Sequence, residues 1–233
     1  MIARPGLGLA AVLMCAMAAG PVAAATPDRG TSPLHAPAAK PISAPAVAPA
    51  GTVAIFSNIG RKYPNSLYFC CDGYGITGKD NIYGDRMLWR AEAFTPAANH
   101  VVKRIEVGLG AVSGSTTVVI GLYDDAGGVP GTALKTWRVQ NVPLAFTCCT
   151  LVEARSKTGI AVTGGQQYWV AVQTDNSDSD GAFTWVYNTT DQLETVPSAS
   201  YCSDDVHGSC GTNDAWVSGG AIVPALAFGV FGN

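Results

Sequence analysis

The chain reads as an all-β protein, an antiparallel two-sheet β-sandwich of jelly-roll type, and three observations carry that reading. Apolar residues recur at period two in short runs. Clusters of Gly, Asn and Asp punctuate those runs, and no stretch of helix length carries a helical stripe. Charged residues make up 13% of a chain that is 48% hydrophobic and holds 27 glycines, the balance of a turn-rich exported β-protein.

The first residues read as an export signal. Arg4 is the one charge among residues 1–25, and "LGLAAVLMCAMAAG" (7–20) is an apolar run too short to span a bilayer. "PVAAATP" then offers small residues where a signal peptidase reads, so cleavage is expected after Ala24 or Ala25. A lipoprotein signal at Cys15 is disfavoured, because Leu13-Met14 places a bulky residue where Gly or Ala belongs. Residues 26–51 are Pro/Ala-rich without apolar periodicity, which predicts a disordered tether. Residues 52–233 then make one sandwich-sized domain, secreted or held in the periplasm or at the cell surface, with no membrane span in its mature form.

Within that domain the strands follow one another at turn-limited spacing. "VAIFSN" (53–58) and "LWRAEAF" (88–94) come first, and "KRIEVGL" (103–109) puts Ile105, Val107 and Leu109 on one face and Arg104 and Glu106 on the other. "TTVVIGLY" (116–123) is apolar on both faces, as a central strand is. "LKTWRV" (134–139) and "GIAV" (159–162) follow. In "QYWVAVQ" (167–173), Tyr168, Val170 and Val172 share a face. "AFTWVYN" (182–188) aligns Phe183, Trp185 and Tyr187, and "ALAFGVF" (225–231) closes the chain. The acidic run "DNSDSDG" (175–181) reads as the tip of a hairpin over 166–188.

The order "AEAFTPAANHVVKRIEVGLG", "VVIGLYDDAGGVPGTAL" and "GQQYWVAV" resembles a group of exported bacterial β-sandwich domains described as choice-of-anchor domains. Phe94-Thr95, Ile105/Val107, Leu122-Tyr123-Asp124, Gly128-Val129-Pro130-Gly131 and Tyr168-Trp169 carry the resemblance, which covers roughly residues 54–230. It implies export and a sandwich fold and supplies no catalytic residues. Such domains sit beside varied C-terminal sorting signals, whereas this chain ends "AFGVFGN", so a covalent surface anchor is not expected.

Without Cys15, six cysteines remain: Cys70, Cys71, Cys148, Cys149, Cys202 and Cys210. Adjacent cysteines in a strand point to opposite faces and lack the intervening turn that zinc and redox motifs need, so disulfides are expected. Two plans stand. One crosses 70/71 to 148/149 and closes Cys202–Cys210 as a local clasp; the other closes each adjacent pair as its own ring. Chain entropy favours the first, whose long loop contributes on the order of 4 kcal/mol.

Three ligand chemistries are legible. Asn176, Asp178 and Asp180 reproduce the first half of a calcium loop, but its twelfth position is Tyr187 rather than Glu, so a solvated hairpin tip without a cofactor is the expectation and calcium the alternative. Phe183, Trp185, Tyr187 and Trp169, with Trp137 and Trp216, form either sandwich core or a stacking surface for polysaccharide or cell-surface glycan. Asp204, Asp205 and His207 are the residues a hydrolase would use, yet they and His100 sit in no recognisable catalytic frame, so no enzyme is expected. Once Arg4 leaves with the signal, 13 basic and 17 acidic residues remain, a net charge of −4, and no basic stripe marks a nucleic-acid partner. The expectation is a secreted binding module, with a structural protein of the envelope or biofilm as the alternative.

Overall fold

A computed structural model describes residues 52–59, 68–84, 86–145, 151–188, 196–204, 215–221 and 225–233, with 68–71, 203–204 and 220–221 described by backbone alone. The expected signal peptide (1–25) and tether (26–51) lie outside them. Among the described residues there is no helix, and thirteen strands run in chain order: β1 Val53–Ser57, β2 Tyr68–Thr77, β3 Arg86–Phe94, β4 His100–Val107, β5 Leu109–Ser113, β6 Val118–Asp125, β7 Pro130–Val139, β8 Val152–Val162, β9 Tyr168–Thr174, β10 Ala182–Asn188, β11 Pro197–Asp204, β12 Trp216–Ala221 and β13 Phe228–Gly232.

They form two antiparallel sheets, the sandwich that the alternating runs predict. The smaller has the order β1-β13-β4-β8, and the larger β5-β10-β2-β3-β9-β6-β7, with β11 on the far edge of β3 and β12 on β11. Alternation puts one face of each sheet inward, where Ile105, Val107, Phe228 and Val230 meet Ile76, Ile120, Val170, Phe183 and Trp185. Phe56 stacks on Phe228 at 4.7 Å, and Trp185 meets the same ring edge-on at 6.2 Å. Asn58, 1% exposed, ties this core to the chain end: its side-chain amide donates to Leu226 O (2.6 Å), and its Oδ1 accepts from Phe228 N (2.8 Å).

Two expectations about pairing are corrected. "KRIEVGL" is not one strand. The chain breaks at Gly108, whose N–H donates to Ala227 O, and passes from β4 in the small sheet to β5 in the large one. Nor do β9 and β10 form a hairpin: β9 pairs with β3 and β6, and β10 with β2 and β5, so the acidic run is a crossover. The edge of β3 explains this. β2 meets β3 at Thr77↔Leu88, and β9 takes over from Arg90 onward, which leaves β2 between β3 and β10.

Outer faces are less polar than alternation alone predicts. Arg104 and Glu106 lie outside the core, yet are only 7% and 5% exposed. The Arg104 guanidinium rests 4.4 Å above the Phe231 ring and bridges Glu106 (3.1 Å) and Glu153 (3.7 Å), while Glu153 also pairs with Arg155. On the outer face of the large sheet, Ala91, Ala93, Ala171 and Ala199 pack with Tyr123 and Trp169 in a second apolar cluster.

Candidate functional site

Three of the four expected stacking aromatics are structural. Phe183 (1% exposed) and Trp185 (0%) point from β10 into the core, where the Trp185 indole donates to Ala227 O at 2.9 Å. Trp169, also 0% exposed, sits in the outer cluster with its indole N–H on Asp125 Oδ1 at 2.8 Å. None of these rings offers a face to solvent. The period-two pattern that aligned them is the signature of a buried strand face. Tyr187 is half-buried, edge-on to Tyr74 at 5.6 Å. Of the further tryptophans, Trp137 is pinned by an indole bond to Arg155 O, and Trp216 makes a T-shaped contact with Tyr201 at 5.7 Å.

Among the described residues, the exposed aromatic is one that pattern reading passes over. At the turn between β2 and β3, Ile82 and Tyr83 are 70% and 59% exposed. Such surface normally collapses; here the loop is held open from beneath by Asn81, which is buried. Its amide nitrogen donates to Gly78 O (2.6 Å) and Gly84 O (2.8 Å) and reaches Arg86 O (3.1 Å), while its Oδ1 accepts from Tyr83 N (2.8 Å). That is an Asx turn with its amide locked onto the loop's carbonyls. The Thr77 hydroxyl, donating to Arg86 O at 2.7 Å, closes the base.

The acidic crossover lies along this loop. Gly78 N donates to Gly181 O (3.1 Å) and Lys79 N to Ser177 O (2.7 Å). Two glycines permit the approach. A Cβ on Gly78 would strike the Ser179 backbone, and one on Gly114, at φ +68°, would strike the Asp180 backbone. Asp180 Oδ1 also accepts from Ser115 N at 2.8 Å, joining the turn after β5 to the group. Three connections therefore meet at one end of the sandwich, where Ile82, Tyr83, Asp80, Asn176, Asp178 and Asp180 are exposed.

The residues read as half a calcium loop fall here with other partners. The Asp180 carboxylate holds Ser115 N–H, Asp178 accepts from the Ser177 hydroxyl, and the Asn176 carbonyl accepts from Thr174 Oγ1. Among the described residues, no group of three or more His, Cys, Asp or Glu is placed to hold a metal ion. Asp125 serves a turn, accepting from Gly127 N and Gly128 N. Desolvation is the largest single influence and pushes its carboxyl up, but the bonds from Trp169, Gln167, Gly128 and Gly127 together outweigh it and hold the carboxyl below the usual range. His100 lies at the start of β4, opposite Val162 on β8. His207, Asp205, Cys148, Cys149 and Cys210 lie outside the described residues, as do the side chains of Cys70, Cys71 and Asp204. Cys202 is buried.

No family profile matches the chain, and no curated protein matches it. A distant structural likeness exists. The crystal structure of the cysteine protease and lectin-like domains of Cwp84, a surface layer associated protein of Clostridium difficile, superposes at a TM-score of 0.37 with 9% identity. The match covers 64% of this chain and 32% of that one, so the chain spans about a third of that protein's length. A likeness at this score bears no weight for function. Among the described residues, no helix is long and apolar enough to cross a membrane.

Proposed function

We propose that this chain is an exported, non-enzymatic binding module whose loop end takes polysaccharide or cell-surface glycan. The observation that supports this most is Tyr83, a largely exposed ring on a loop locked by Asn81 and flanked by exposed Asp80, Asn176 and Asp178. A sugar presents an apolar C–H face and a rim of hydroxyls. An exposed tyrosine covers the first, and carboxylate or amide oxygens accept from the second. A loop held in advance loses little conformational entropy on binding, which is how weak individual contacts come to add up.

A glycan array probed with the mature protein tests the proposal, with Tyr83→Ala and Asp178→Ala as paired variants. Both side chains are exposed, so neither variant should alter folding. The wild type is expected to retain a restricted set of glycans, Tyr83→Ala to lose them, and Asp178→Ala to weaken them. An array with no retained glycan, or one unchanged by Tyr83→Ala, overturns the proposal.

A further inference from the structure

The turn between β2 and β3 carries more apolar surface than the fold requires of it. Ile82 is 70% exposed, the most of any large apolar side chain among the described residues, and Tyr83 follows it at 59%. Exposed apolar residues scattered singly are ordinary on a protein surface. These two are consecutive, and they occupy turn positions that Gly, Pro, Asn, Asp or Ser fill by preference. A β-branched isoleucine gains nothing from turn geometry, and at this exposure it gains little from packing. Its stiff side chain does offer a ligand contact area at small entropic cost.

The backbone beneath is fixed at several points. Lys79 N donates to Ser177 O (2.7 Å) and Tyr83 N to Asn81 Oδ1 (2.8 Å), while the Asn81 amide holds Gly78 O and Gly84 O. Asp80 is exposed and lies between the anchored Lys79 and the buried Asn81. Residues 80–83 therefore bring a carboxylate, an aliphatic side chain and an aromatic ring to the surface on one frame.

Each of the three fits a different part of one ligand. The Tyr83 ring covers the C–H face of a pyranose, in the binding-module reading on which this inference rests. Ile82 adds a demand for an apolar group beside that face, and Asp80 a demand for a hydrogen-bond donor. A plain hexose brings hydroxyls alone. A 6-deoxy sugar brings a methyl with no donor on the same arm, and a free amine brings charge with no methyl. An acetamido group brings both: a methyl for Ile82 to cover and an amide N–H for a carboxylate to accept.

We infer that the β2–β3 turn recognises an N-acetylated amino sugar, with Tyr83 under the ring, Ile82 on the acetyl methyl and Asp80 accepting from the amide N–H. The test is calorimetric titration of the mature protein with cellotriose, with the matching glucosamine trisaccharide and with triacetylchitotriose, which share one β-1,4 backbone. It is repeated on Ile82→Ala, Asp80→Ala and Tyr83→Ala, with Val217→Ala as an exposed apolar control away from the turn. All four side chains are exposed, so the variants should fold, and melting curves check this. Triacetylchitotriose is expected to bind at least about tenfold more tightly than cellotriose, from a buried methyl and a bond to a charged acceptor. Ile82→Ala should narrow that ratio about fourfold, and Asp80→Ala should remove most of it. Tyr83→Ala should abolish binding, and Val217→Ala should change nothing. Equal affinity for triacetylchitotriose and cellotriose, tighter binding of the amine, or a ratio unchanged in Ile82→Ala or Asp80→Ala overturns the inference. The binding-module reading survives those results wherever Tyr83→Ala still abolishes binding. Failure of all three trisaccharides to bind also overturns the inference, and the wider reading falls with it only if the array retains no glycan.

Discussion

Glu92 ties a single side chain to the pH dependence of the whole fold. Its folded-state pKa is raised by burial, so the native state holds the proton more tightly than the unfolded chain does. The stability it contributes is complete below the unfolded carboxylate value, about 4.3, and is lost as pH rises through the folded value. Glu92→Gln mimics the protonated form at every pH. The prediction is a melting temperature near wild type at pH 4 and higher than wild type at pH 7, with each 1 kcal/mol worth about 2–4 °C in a domain of this size. Equal melting temperatures at pH 7 would show that Glu92 finds a partner when ionised. Asn58 gives the opposite case, a buried polar group fully used. Asn58→Ala leaves Leu226 O and Phe228 N without their bonds, and thermal melts should show a loss of about 2–4 kcal/mol.

At the scale of elements, the crossover between β9 and β10 decides where the loop end forms. Its contact with the β2–β3 turn depends on Gly78, because a side chain there would push against the Ser179 backbone. Gly78→Ala should therefore weaken glycan binding on the array while leaving Tyr83 in place, with only a modest fall in melting temperature. This part of the structure was poorly legible in the sequence. The alternation of Tyr168 to Val172 and of Phe183 to Tyr187 identified two strands, but strands that are consecutive in sequence need not pair, and nothing local marked β2 as the one between. Other strands escaped for compositional reasons. β2 ("YFCCDGYGIT"), β11 ("PSASYCSD") and β12 ("WVSGGA") are rich in Gly, Ser and Cys, and the first half of β8 ("VEARSKT") is polar. Strong alternation was reliable where both partners were apolar, as in β4, β6 and β13.

For the molecule as a whole, the sandwich class was legible because burying one face of each strand requires the period-two pattern, whatever the order of pairing. The candidate site was legible only in part. Asn176, Asp178 and Asp180 were picked out for their oxygens and do sit at the loop end, but the aromatic with them is Tyr83, whose exposure depends on a tertiary lock at Asn81. Phe183 and Trp185 went into the core and Trp169 into the buried cluster on the outer face, because large rings contribute most where water is excluded. The architecture thus buries its largest rings and leaves a smaller one exposed on the β2–β3 turn. The most direct test is an amide chemical-shift titration of the isotope-labelled protein with a neutral glycan retained on the array. Shifts confined to residues 78–84, 114–117 and 175–181, with the Trp169 and Trp185 indoles unmoved, are the predicted result. Shifts centred elsewhere, for instance on Trp89, Tyr201 and Trp216, would contradict the account.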